Sequence, residues 1–175
     1  MDVTFRRLEV DDLPMLHRWL NDPEIARWWE DEDLSFEAVV EKYTPRIDNI
    51  EHSEQWVAVV DGRDVGWLQT YALTDWPEYA EACWAVGVRR EAGGFDYLLG
   101  DAADRGRGLG PVVIRAFLDQ VVFGLHPWPE ACAGPHPDNR RSWRALEKAG
   151  CRFAGMIDTE DGPERLMVID RTIPA

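Results

Sequence analysis

The stretch from Gly93 to Val122 constrains the fold more than any other part of the chain. Phe95-Asp96-Tyr97-Leu98-Leu99 is a short apolar run set between Gly93-Gly94 and Gly100, the pattern of a strand inside a sheet. The segment Arg105-Gly106-Arg107-Gly108-Leu109-Gly110 follows. Beyond it Leu109, Val112, Val113, Ala116, Phe117, Val121 and Val122 recur at helical spacing. A strand feeding a helix through glycines predicts a sheet layered with helices. Such a loop can bring backbone N–H groups close to a ligand, and the helix start adds partial positive charge. With Arg105 and Arg107 beside it, the loop reads as an anion cradle. Its spacing is neither Gly-x-Gly-x-x-Gly nor a P-loop, since Gly-Lys-Ser/Thr is missing.

The rest of the chain fits around this unit. Thr4 to Val10 predicts an opening strand, and Asp11-Asp12-Leu13-Pro14 starts a helix through Leu20, stopped by Asn21-Asp22-Pro23. Glu24 to Asp33 is an acidic, tryptophan-bearing loop or broken helix. Ser35 to Tyr43 predicts a second helix, ending near Thr44-Pro45. Gln55 to Val60 and Val65 to Leu73 form a hairpin around Asp61-Gly62, and Glu81 to Val88 predicts another strand. A strand at Ala131 to Ala133 precedes a helix from Asn139 to Ala149, closed by Gly150. Cys151 to Ile157 and Arg165 to Ile169 make a last hairpin around Asp161-Gly162-Pro163. This order predicts a mixed α/β or α+β fold in a single domain, residues 1–175.

Charge narrows the partners. The 175 residues hold 33 Asp plus Glu against 19 Lys plus Arg, a net charge of −14. That balance argues against nucleic acid and against anionic membrane surfaces. The charge is also uneven. Arg105 to Arg152 holds eight basic and four acidic residues, whereas Asp22 to Glu51 holds ten acidic and three basic. A polyanionic ligand at one region and a cationic one at the other would account for this. Cys83, Cys132 and Cys151 are odd in number and widely spaced, which predicts reduced thiols with neither disulfide nor metal site. The chain starts without an apolar leader and has no run of 18 apolar residues, so a soluble, cytoplasmic protein is expected. No heptad pattern or exposed hydrophobic run is visible, which favours a monomer.

Two motifs carry a resemblance. The Arg-x-x-Gly-x-Gly pattern that follows a strand and opens a long helix resembles the acyl-coenzyme A loop of the GNAT N-acetyltransferase superfamily. Downstream, Asn139-Arg-Arg-Ser-Trp-Arg-Ala-Leu-Glu-Lys-Ala-Gly150 is similar to that superfamily's second signature. Trp19-Leu20-Asn21, Trp28-Trp29-Glu30, Tyr43-Thr-Pro45, Gly94-Phe-Asp96-Tyr-Leu98-Leu99 and Asp161-Gly162-Pro163 resemble one branch, the aminoglycoside 6'-N-acetyltransferases, over nearly the whole chain. The resemblance implies a mostly antiparallel central sheet flanked by helices. It also implies acetyl-CoA as co-substrate, held by Leu98, Leu99, Gly100, Arg105, Gly106, Arg107, Gly108, Leu109, Gly110 and Asn139. The acceptor it implies is a 6'-amine of an aminosugar antibiotic. By the same resemblance Asp96 is the catalytic aspartate, and Trp28, Trp29, Glu30, Asp96 and Asp161 meet the substrate. Physical chemistry agrees. Carboxylates neutralise the drug's ammonium groups, and indole faces pack on sugars and attract cations. Trp19, Trp56 and Trp84 read instead as core residues.

The implied chemistry is direct attack of the amine on the thioester, with Asp96 helping to take its proton. Backbone N–H groups near Leu98 to Gly100 would stabilise the oxyanion. Two departures stand out. Leu146 occupies the place of a tyrosine commonly credited with protonating the departing thiolate. Gly134-Pro135-His136-Pro137-Asp138 has glycine where an acidic residue often stands before the proline; His136 and Asp138 could substitute or simply serve the turn. Two other functions stay open on these residues. One is an acyltransferase for a lysine or hydroxylamine side chain in siderophore assembly. The other is a non-catalytic binder of cationic aminosugars.

Overall fold

The computed structural model describes residues 1–28 and 33–172. The elements in chain order are β1 (Val3–Arg7), α1 (Leu13–Leu20), α2 (Pro23–Ala26), α3 (Phe36–Ile47), β2 (Glu54–Val60), β3 (Arg63–Ala72), α4 (Pro77–Ala85), β4 (Gly93–Leu99), α5 (Leu109–Phe117), α6 (Phe123–Leu125), β5 (Glu130–Ala133), α7 (Arg140–Lys148), β6 (Arg152–Thr159) and β7 (Gly162–Asp170). The strands form a seven-stranded sheet in the order β1-β2-β3-β4-β5-β7-β6. The pairs β1–β2, β5–β7 and β6–β7 are antiparallel, and β4–β5 is parallel. The mixed, mostly antiparallel sheet is the predicted one.

The chain divides into two compact units, one of Met1–Gln69 with Tyr97–Leu109, the other of Thr70–Asp96 with Gly110 onward. In the first, α1 buries Leu13, Leu16, Trp19 and Leu20 against Leu8, Val39, Tyr43, Val57, Trp67 and Leu98. These positions repeat three to four residues apart, so one stripe of the helix faces the core. Asp61 and Gly62 both adopt positive φ, at 48° and 80°, the tight turn that Asp-Gly favours between antiparallel strands. In the second unit Leu73, Ala80, Cys83, Val88, Cys132, Leu166 and Val168 make the core. All three cysteines are free and buried. Of the tryptophans expected in cores, Trp19 and Trp56 are buried, and Trp84 packs half-buried at the edge of the second core.

Three predicted elements need correction. Residues expected as a strand from Glu81 to Val88 lie largely in helix α4. Pro77 sits at its first turn, and alanine and glutamate fill it with strong helix formers. Its burial of Ala80 and Cys83, three apart, is a helical period that a short apolar run hides. The helix after the glycine loop is not continuous: α5 gives way to a π-helical turn over Leu118–Val122 before α6. The wider turn keeps Leu118, Val121 and Val122 all buried. Val112, assigned to the apolar face, is 44% exposed. Finally, α3 continues through Pro45 to Ile47.

Candidate active site

Strand β4 carries the centre of the site. On one side it is laddered to β3: the Gly100 N–H donates to the Val65 carbonyl at 2.9 Å, and Thr70 Oγ1 donates to the Gly94 carbonyl at 2.9 Å. Backbone groups alternate sides along a strand, so the N–H of Leu99 is directed away from β3. The expected oxyanion group near Leu98 to Gly100 is therefore narrowed. Gly100 spends its N–H on the sheet, while Leu99 aims its own elsewhere. Gly100 also lies against Trp19, whose indole occupies the space of any side chain at 100. On the other side, Gly93 pairs with Ala131 and Gly94 with Cys132. Among the described residues that ladder goes no further, so β4 and β5 part before Asp96.

Asp96 is half-buried in a setting of carboxyls and aromatic rings, all within the second unit. Glu164 comes from β7 and Asp161 from the turn before it; Tyr71 comes from β3 and Tyr79 from α4. The Tyr79 hydroxyl donates to Glu164 Oε2 at 3.0 Å. Burial pushes the Glu164 carboxyl up to about 8; the charges of Asp96 and Asp161 push the same way, against the Tyr79 hydrogen bond. Burial, then the Asp96 charge, raises the Tyr71 hydroxyl well above its ordinary value. Tyr71 meets Trp76 and Tyr79 edge-on, with ring centres 6.0 and 6.5 Å apart. The Trp76 ring is partly exposed. Residue patterns did not single out Glu164, Tyr71, Trp76 or Tyr79. For Trp76 and Tyr79 the sequence signal was the aromatic spacing around Pro77, which lies just before the expected strand from Glu81 to Val88.

The glycine loop belongs largely to the first unit. Gly106 and Gly108 adopt left-handed φ of 78° and 81°, with open space around both. Arg107 is exposed, Leu109 is buried at the start of α5, and Gly110 is half-buried. Arg105, however, is turned inward. Its Nη2 donates to Asp22 Oδ2 at 2.7 Å, and only 10% of its side chain is exposed. This bond holds the Asp22 carboxyl below its ordinary range. Arg105 Nη1 is buried and, among the described residues, has no hydrogen-bond partner. Asn139 Oδ1 accepts from the Ser142 N–H at 3.2 Å and so caps α7. Leu146 on that helix is fully buried.

The acidic N-terminal stretch serves structure as well. Asp22 caps α2 and pairs with Arg105, Asp33 Oδ1 accepts from the Ser35 N–H, and Glu51 binds Arg46. Trp28 is half-buried with the Arg27 guanidinium 4.9 Å from its ring centre. Trp29 and Glu30 lie outside the described residues. Asp161 is exposed at the tip of the β6–β7 hairpin.

Over residues 9–159 the chain matches the acetyltransferase (GNAT) domain family. The chain belongs to the GNAT acetyltransferase family. This GNAT protein is 34% identical to the aminoglycoside N(6')-acetyltransferase type 1 of Klebsiella pneumoniae, over 97% of this chain and 83% of the relative. Its fold is similar to that of the aminoglycoside acetyltransferase AAC(6')-Ib solved with parmomycin and acetyl-CoA, at a TM-score of 0.85 and 32% identity, covering 98% of this chain and 94% of that one. It is 25% identical to the N(6)-hydroxylysine O-acetyltransferase of Escherichia coli, over 93% of this chain but half of that protein. The family makes the GNAT protein an acetyl-CoA-dependent N-acetyltransferase. Among the described residues no helix is long and apolar enough to cross a membrane.

Proposed function

We propose that residues 1–175 act as a single acetyltransferase domain that moves an acetyl group from acetyl-CoA to the 6'-amine of an aminoglycoside. The observation that carries this reading is a chain of neighbours in the second unit: the Asp96 charge acts on Glu164 and Tyr71, the Asp161 charge acts on Glu164, and Trp76 and Tyr79 pack edge-on against Tyr71. Ammonium groups need the carboxylates, and sugar faces pack on aromatic rings. A lysine-type acceptor, with fewer positive charges, has less use for three acids.

In this reading the loop amides around Gly106 and Gly108 and the start of α5 bind the pyrophosphate, with Arg107 outside and the buried Arg105 Nη1 as a further donor. Asp96 orients the acceptor amine and takes its proton as the nitrogen attacks the thioester carbonyl. The Leu99 N–H polarises that carbonyl and stabilises its oxyanion. Asp161 meets a further ammonium of the drug, and Trp28, Trp29 and Glu30 are the other substrate-binding residues of this reading. The thiolate, with an ordinary pKa of about 8.5, leaves without a protein acid, because Leu146 is a buried hydrocarbon. The protein works in the cytoplasm, where acetyl-CoA is made, as a monomer and without nucleic acid.

Release of free thiol from acetyl-CoA tests this. Kanamycin or tobramycin should support turnover. A lysine-derived hydroxylamine and an N-terminal peptide should not. Turnover with the lysine substrate alone overturns the reading, and drug binding without thiol release makes the protein a binder.

A further inference from the structure

Gly134 follows β5 directly and brings no side chain to the site. The space a Cβ at residue 134 would take is nevertheless filled: Glu164 Oε2 lies on it, and the Tyr79 hydroxyl is 2.9 Å from the same point. The backbone enforces this proximity. Arg165 N–H donates to the Pro135 carbonyl at 2.9 Å, which fixes β7 beside the segment that leaves β5. A side chain of β7 thus occupies the space that a side chain at residue 134 would take.

The charges around Glu164 show what is wanting. The charges of Asp96 on β4 and Asp161 in the hairpin turn act on it, its own charge acts on Tyr71 of β3, and the Tyr79 hydroxyl of α4 touches it. Arg165, the next residue on β7, does not serve as its counter-ion. That guanidinium stacks over Trp143 and Phe153, 4.6 and 4.1 Å from their ring centres. Among the described residues the hydrogen-bond partner of the Glu164 carboxyl is Tyr79. A half-buried carboxyl under the charges of two other acids, with no ion pair among the described residues, is a receptor for positive charge. Tyr79 aims it, and the gap left by Gly134 gives it room.

We propose that Glu164 binds an ammonium group of the acceptor, doing from β7 what an acidic side chain at residue 134 would do from the end of β5. This rests on the aminoglycoside reading and makes Glu164 a specificity-determining residue within it. The role is one of binding: the bond made and broken at the thioester does not involve this carboxyl.

The test uses three variants of the full chain, with KM measured separately for kanamycin and acetyl-CoA. Glu164→Gln keeps the shape and the Tyr79 hydrogen bond but removes the carboxyl that a bound ammonium would hold ionised. Glu164→Ala removes both, and Glu164→Ala with Gly134→Asp moves the carboxylate to the other strand. Charge-assisted bonds of this kind change binding by about tenfold or more, so the kanamycin KM should rise at least that much in both single variants. The acetyl-CoA KM should stay within about twofold, which also shows that the variants fold. The double variant should recover most of the loss. A wild-type kanamycin KM in Glu164→Gln overturns the proposal, as does a defect confined to kcat or acetyl-CoA. No recovery in the double variant overturns it too. Failure of the aminoglycoside reading looks different: the wild-type protein itself then leaves kanamycin unmodified.

Discussion

Asp96 and Glu164 are both carboxyls of the second unit, yet their settings assign them different work. Asp96 sits on the strand that runs on to the Leu99 N–H, and its proposed task is chemical. Asp96→Asn should cut kcat by at least about tenfold, a floor set below the roughly 10²–10⁴-fold that a general base contributes, with little change in acetyl-CoA KM. Unchanged turnover removes Asp96 from the mechanism. Glu164 leaves a signature in stability instead. Its carboxyl titrates near 8 in the folded protein rather than at its ordinary 4.5. The folded state therefore holds that proton more tightly than the unfolded one. Its contribution is full below pH 4.5 and is lost as pH rises through about 8. Without substrate, wild-type protein should lose stability relative to Glu164→Gln across that window, read as the difference in urea midpoints. Parallel midpoints across the window would show that the carboxyl is not perturbed. Asp96 was legible as a lone charge in an apolar run. Glu164 was not, because Asp-Gly-Pro-Glu reads as a turn and its burial depends on Gly134 and Tyr79, 30 and 85 positions away.

At the scale of elements, local chemistry decided most boundaries and tertiary packing the rest. The Asp61-Gly62 hairpin, the capped start of α7 at Asn139 and the two left-handed glycines of the loop follow from the residues that form them. Helix α4 did not, because Ala-Cys-Trp-Ala-Val alternates as well as it turns. A helix starting at Pro77, rather than a strand starting at Glu81, sets Tyr79 and the preceding Trp76 beside Tyr71. Helix α7 bears on the mechanism through Leu146. A tyrosine there would have to place a phenol where Leu146 is now 0% exposed. Leu146→Tyr should therefore destabilise the protein by about 1–3 kcal/mol, the usual cost of overpacking, without raising kcat. Thermal melts and steady-state rates check both. A faster, equally stable variant would show that an acid was missing after all.

For the whole molecule, the net charge of −14 is less informative than where the charges go. Part of the acidic N-terminal stretch is spent on its own fold, as Asp22 on Arg105 and Glu51 on Arg46 show. Asp104 likewise grips Arg63 through two bonds of 2.6 and 2.8 Å. The acids around Glu164 are different, since among the described residues no arginine is paired with Glu164, and a polycation suits them best. The regional asymmetry suggested such a substrate, but the acids best placed to bind it were not the ones that asymmetry picked out. The most direct test of the account is the product formed from kanamycin and acetyl-CoA, identified by mass spectrometry and proton NMR. The account predicts one added acetyl group, on the 6'-nitrogen. Acetylation at any other nitrogen, or kanamycin recovered unchanged, contradicts it.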